Sequence, residues 1–141
     1  MNTSSKNTSN LDLYEYAENN GITIENLPLK QNKSLSVKIL NREFIGIDNS
    51  IFSGSATERT HLAHELGHCA TGTFYDLETP LQIRRKYEYK AQKWAVSRLI
   101  PKVELLHLLK KNVPKWDISD YFNVTESLVD TAIKIYFGVI L

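Results

Sequence analysis

Between Ser55 and Gly72 the chain carries one helix whose two ends are both written in its side chains and whose middle holds three of the four histidines, H61-L-A-H64-E65-L66-G67-H68. Ser55-Ala56-Thr57-Glu58 is a capping box, in which the Ser55 hydroxyl accepts from the backbone of Glu58 and the Glu58 carboxylate is expected to reach back to the backbone of Ser55. Thr71-Gly72-Thr73 supplies a breaker with a glycine at the C-terminal position, so a helix is predicted from Ala56 to about Ala70. Residues four apart on such a helix differ by one turn and about 40° of rotation. His64 and His68 therefore present their imidazoles to one point in space, as two metal ligands would. Glu65 lies about 100° from His64 and about 60° from His68 around the axis, beside that point and in reach of a water held there. His61 sits a turn earlier on the same side, as a neighbour of the ligands or a solvated residue.

Two histidines do not complete a catalytic zinc site, which takes three protein ligands and a water. A second long helix is expected from Pro80, favoured in a first turn, to Ile100, where Pro101 forbids continuation. On it Glu88 shares a face with Ala91 and Ala95, small side chains that permit close approach to the first helix. Asp76 and Glu78, on the intervening loop, compete for the same role on spacing alone. Arg84, Arg85, Lys86, Lys90 and Lys93 surround Glu88 and read as a solvated helix face.

The remaining segments complete an α+β chain. A short helix is expected from Leu11, ended by Asn19-Asn20-Gly21, followed by a small antiparallel sheet from residues 22–28, 35–40 and 44–48, with Asn41-Arg42-Glu43 separating the last two strands. After Pro101 come VELLHLLK and then a helical pair, DISDYF and ESLVDTAIKIY, the second capped by Thr125 and running into the apolar tail. The polar residues 1–10 read as a flexible tail, 11–112 as the core, and 113–141 as a helix-turn-helix-like appendage of the same compact unit. Its second helix carries Glu126 and Asp130 against Lys134, the wrong sign for approaching phosphates, which points to a structural or protein-docking module and away from direct DNA binding. Seventeen basic against sixteen acidic residues leave a net charge of +1, so no global field calls for nucleic acid or an anionic membrane. The single cysteine, Cys69, can form no intramolecular disulfide and is expected as a buried thiol. With neither a signal-peptide core nor a run long enough to span a membrane, the expectation is a cytoplasmic chain.

RTHLAHELGHCA followed by YEYKAQKWAVSRLIP resembles the ImmA/IrrE family of zinc metallopeptidases, whose pattern is HELGH and then E-x-x-A-N-x-F-A-x-x-L-L-x-P. Glu88, Ala91, Ala95, Leu99 and Pro101 match; Gln92 stands for the usual Asn, Trp94 for Phe, and Arg98 for a Leu. The resemblance implies a zincin-type pair of active-site helices with His64, His68 and Glu88 as ligands of Zn²⁺, Mn²⁺ being the alternative ion, and Glu65 as the catalytic carboxylate. It further implies an endopeptidase of the compact ImmA type whose substrate is a helix-turn-helix repressor of a prophage or conjugative element. His61, Tyr75, Tyr87 and Tyr89 are candidates for stabilising the oxyanion or supporting the ligands. The competing expectation is a non-enzymatic, metal-containing regulator that binds a repressor or DNA.

Overall fold

The computed structural model describes residues 10–138. Helix α1 (Leu11–Asn19) precedes strands β1 (Ile22–Leu27), β2 (Ser34–Ile39) and β3 (Arg42–Asp48). Helices α2 (Ala56–Thr71), α3 (Leu81–Leu99), α4 (Lys102–Lys110), α5 (Lys115–Phe122) and α6 (Glu126–Phe137) follow. The α+β class and the C-terminal helical region agree with the sequence. No described helix is long and apolar enough to cross a membrane.

The sheet departs from expectation in being mixed instead of antiparallel, with strand order β1-β3-β2. Leu40 and Asn41, at φ 51° and 64°, form a two-residue turn of the kind that matches strand twist, so β2 and β3 pair antiparallel from Ile39 opposite Arg42. Arg42 and Glu43 thereby belong to β3, not to the loop. With one edge of β3 taken by β2, the residues between Leu27 and Ser34 carry the chain past β3, leaving its other edge to β1, which pairs parallel in register Ile22 opposite Glu43. β2 becomes an outer strand. Ile45 and Ile47 of β3 project into the core shared with Leu13 of α1 and Leu62 and Leu66 of α2, all at most 1% exposed.

Helix α2 starts at its predicted cap, with Ser55 accepting from Glu58 N at 3.0 Å. The other half of the box is redirected: the Glu58 carboxylate accepts from Gly54 N (2.8 Å), Asn10 Nδ2 (2.7 Å) and the Tyr14 hydroxyl (2.6 Å). Beside it the buried Arg59 guanidinium makes a forked pair with Asp12 at 2.8 and 3.0 Å. A buried carboxylate is stable only when its oxygens are satisfied, and here the donors that satisfy it tie α1 to the start of α2. Asn10, expected at the end of a flexible tail, is consequently buried; the rest of that tail, 1–9, and the last residues of the apolar C-terminus, 139–141, lie outside the described residues. At the other end of the chain the α5–α6 turn is seated on α2, with Thr125 N donating to Thr60 Oγ1 at 3.0 Å and Asn123 Nδ2 to Gly54 O at 3.2 Å.

Candidate metal centre

Helices α2 and α3 pack closely enough that a Cβ on Gly67 would lie 2.4 Å from the carbonyl oxygen of Ala91. That approach brings Glu88 back over α2. His64 Nε2 stands 2.7 Å from Glu88 Oε1 and His68 Nε2 3.0 Å from Glu88 Oε2. The donor atoms of the three residues lie within 4.8 Å of one another, a group able to hold a metal ion. Asp76 stays on the loop, accepting from Glu78 N and the Thr79 hydroxyl, and neither it nor Glu78 joins the group.

The orientation of each imidazole is set from behind. Gly72, at φ 66°, ends α2 in the left-handed conformation, and Thr73 N then returns to His68 O at 3.0 Å. The same reversal puts Thr73 O 2.8 Å and Thr73 Oγ1 3.0 Å from His68 Nδ1. A carbonyl oxygen only accepts, so His68 Nδ1 carries the hydrogen and Nε2 the lone pair. Gln92 Oε1, 2.7 Å from His64 Nδ1, does the same for His64. In the neutral rings both Nε2 lone pairs then face carboxylate oxygens that are acceptors themselves. Acceptors so close repel unless a cation lies between them, and the two cations that fit are a proton or a metal ion. Two imidazoles and one carboxylate form a donor set that fits a divalent ion such as zinc.

In the absence of metal the arrangement favours a proton in that place. Burial opposes charge on His64, but its hydrogen bond to Glu88 and the negative charge of Glu65 prevail and raise its pKa above the ordinary 6.5. Burial likewise opposes the Glu88 carboxylate, yet the hydrogen bonds from His64 and Tyr75 hold its pKa far below 4.5. The raised His64 value stabilises the fold fully below pH 6.5 and ceases to do so as pH rises through it, whereas the depressed Glu88 value stabilises above pH 4.5 and is lost on acidification. The metal-free chain should therefore melt at lower temperature at about pH 8 than at about pH 6. The metal-loaded chain should show the opposite trend, because the metal must displace that proton. Calorimetric scans of both forms across this range check the sign; a metal-free melting temperature that rises with pH would contradict the pairing.

Glu65, 7% exposed, lies beside the ligands and accepts from Ser34 Oγ of β2 at 2.7 Å. His61 Nδ1 is 3.5 Å from the same hydroxyl, and burial lowers the pKa of that half-buried ring. Tyr75 donates to Glu88 Oε2 at 2.6 Å; burial and the Glu88 charge push its phenol up to about 12, so it remains a donor at neutral pH. Tyr89, more than half exposed, borders a shallow depression with His64, Glu88 and Gln92. Tyr87 makes no hydrogen bond to the site among the described residues. Cys69 is buried and faces Glu43, which with burial pushes its thiol up to about 12. A cleft of about 630 Å³ between residues 34–37 of β2 and the Thr73–Leu77 loop opens onto His64, Glu65, His68 and Glu88.

Ser34 carries no signal in the sequence, Thr73 enters only as part of the triplet that ends α2, and Gln92 only as a departure from a pattern. The glycine-coded end of α2 is the one signal that could have pointed to Thr73. No curated protein matches the chain. The IrrE N-terminal-like domain of the M78 peptidases matches it over residues 17–134, a span containing both helices, the sheet and most of α6. With the ligand group, the adjoining carboxylate and that match in agreement, the chain belongs to the M78 peptidase family.

Proposed function

We propose that this protein is a zinc-dependent endopeptidase that cleaves a helix-turn-helix repressor of a mobile genetic element and thereby relieves repression. The observation that supports this most is the convergence of two lone-pair-bearing Nε2 atoms on Glu88 with the Glu65 carboxylate in the same cleft. His64, His68 and Glu88 would hold the zinc ion, which when bound would supply Lewis acidity to polarise a carbonyl oxygen and lower the pKa of water to about 7. Manganese would suit the same ligands less well, since imidazole favours zinc.

The chain's own groups supply the proton transfers and the alignment. Glu65 accepts the proton of the attacking water and delivers it to the departing amine. Ser34 engages Oε2 of that carboxylate and leaves Oε1 for the water. Gln92 and Thr73 hold the two imidazoles in the tautomer that can ligate. Tyr75, protonated and at the cleft, is the best-placed donor for the developing oxyanion, ahead of His61, Tyr87 and Tyr89.

The test is incubation of the zinc-loaded protein with the repressor encoded beside it, products being identified by mass spectrometry. A single specific cut is expected, abolished by 1,10-phenanthroline and restored by zinc. A repressor left intact by the loaded protein would refute the substrate. Salt-dependent binding to duplex DNA without any product would instead establish the regulator.

A further inference from the structure

The start of α6, which a DNA reader would keep free for the major groove, is instead drawn down beside the metal centre. Thr125, Ser127 and Leu128 form one wall of a cavity of about 370 Å³ whose other walls are Thr60, His61 and His64 of α2 and Gln92 of α3. The Thr125 N to Thr60 Oγ1 bond fixes this wall to α2. His64 borders both this cavity and the larger cleft along β2, so the cavity adjoins the ligand group through that ring. A peptide lying across the site would place the residue on one side of its reacting bond here.

We infer that this cavity, built jointly by α2, α3 and the C-terminal helix, is a specificity pocket for an uncharged polar side chain, of the Asn, Gln, Ser or Thr class, adjoining the cleaved bond. The inference rests on the peptidase reading and assigns α6 a part in it. The cavity has no carboxylate, lysine or arginine in its lining, so a charged side chain would leave water without a counter-charge. Its polar groups are neutral and partly uncommitted: Gln92 gives Oε1 to His64 and keeps its amide N–H groups, and Ser127 keeps its hydroxyl. An apolar side chain would strand the half-buried Gln92 amide, whereas an amide or hydroxyl satisfies it.

The probe is a series of N-acetyl amino-acid hydroxamates (Gln, Leu, Asp and Lys) and their reversed counterparts, titrated calorimetrically into the zinc-loaded protein. Acetohydroxamate, which lacks a side chain, is the reference. In one orientation the Gln compound should bind at least about tenfold tighter than acetohydroxamate and than its Leu, Asp and Lys analogues. Ser127→Trp, at an exposed position where a large residue can be accommodated in the fold, should fill the cavity and bring the ratio of Gln compound to acetohydroxamate back to near one. An unchanged ratio in Ser127→Trp, or a Leu, Asp or Lys compound bound as tightly as Gln, overturns the pocket while leaving the peptidase reading intact. If acetohydroxamate itself fails to bind, the peptidase reading falls and the pocket with it.

Discussion

Glu65→Gln should leave the chain folded and loaded with one zinc ion yet slow peptide hydrolysis by about 10²–10⁴-fold, the usual share of a positioned general base. Glutamine matches glutamate in shape and can still meet the Ser34 hydroxyl, so the contact to β2 is preserved. What it lacks is a proton-accepting oxygen of useful basicity. The ligand set is untouched, since His64, His68 and Glu88 contribute the donor atoms. Two measurements together decide the role: metal content by elemental analysis, expected unchanged, and the rate on the proposed repressor substrate, expected to collapse. Equal rates in both proteins would remove Glu65 from the chemistry, and loss of zinc would recast it as a residue that supports the site.

Gly67→Ala should force α2 and α3 apart. In an isolated helix the change would help by about 1 kcal/mol. Here the new Cβ would fall 2.4 Å from the Ala91 carbonyl oxygen, backbone that has no rotamer through which to retreat. The two helices must part, at a cost of about 1–3 kcal/mol for overpacking. Because His64 and His68 ride on one helix and Glu88 on the other, the same displacement pulls the ligands apart, and zinc affinity should drop by about 10- to 100-fold. Denaturant titration and competition with a zinc chelator read the two effects separately. A variant as stable and as tightly metallated as the parent would show that the helices do not touch at this point. Gly72→Ala makes an instructive contrast: nothing lies within 4 Å of its added Cβ, and any loss there would come from the left-handed φ of 66° alone.

The parts of this protein legible in its sequence are those governed by neighbours within a turn or two. His64, Glu65 and His68 share a face because of helical pitch, α2 begins where Ser55 caps it, and α6 begins where Thr125 does. Glu88 was legible by a different route. Its position on α3 left Asp76 and Glu78 open, and the resemblance of the second helix to a family pattern singled it out.

What the sequence left undecided depends on groups far apart along the chain. Ser34 meets Glu65 across 31 residues and Gln92 meets His64 across 28, separations over which neither charge nor periodicity carries information. The half of the capping box that Glu58 was to complete went instead to Gly54, Asn10 and Tyr14, the last two brought within reach only by packing against α1. The parallel pairing of β1 likewise emerged only once β2 had taken the other edge of β3. Helical pitch and end-capping are short-range forces that a string of residues already contains. Which imidazole finds its amide, and which strand finds a vacant edge, depends on packing the elements together, and only the folded chain decides it.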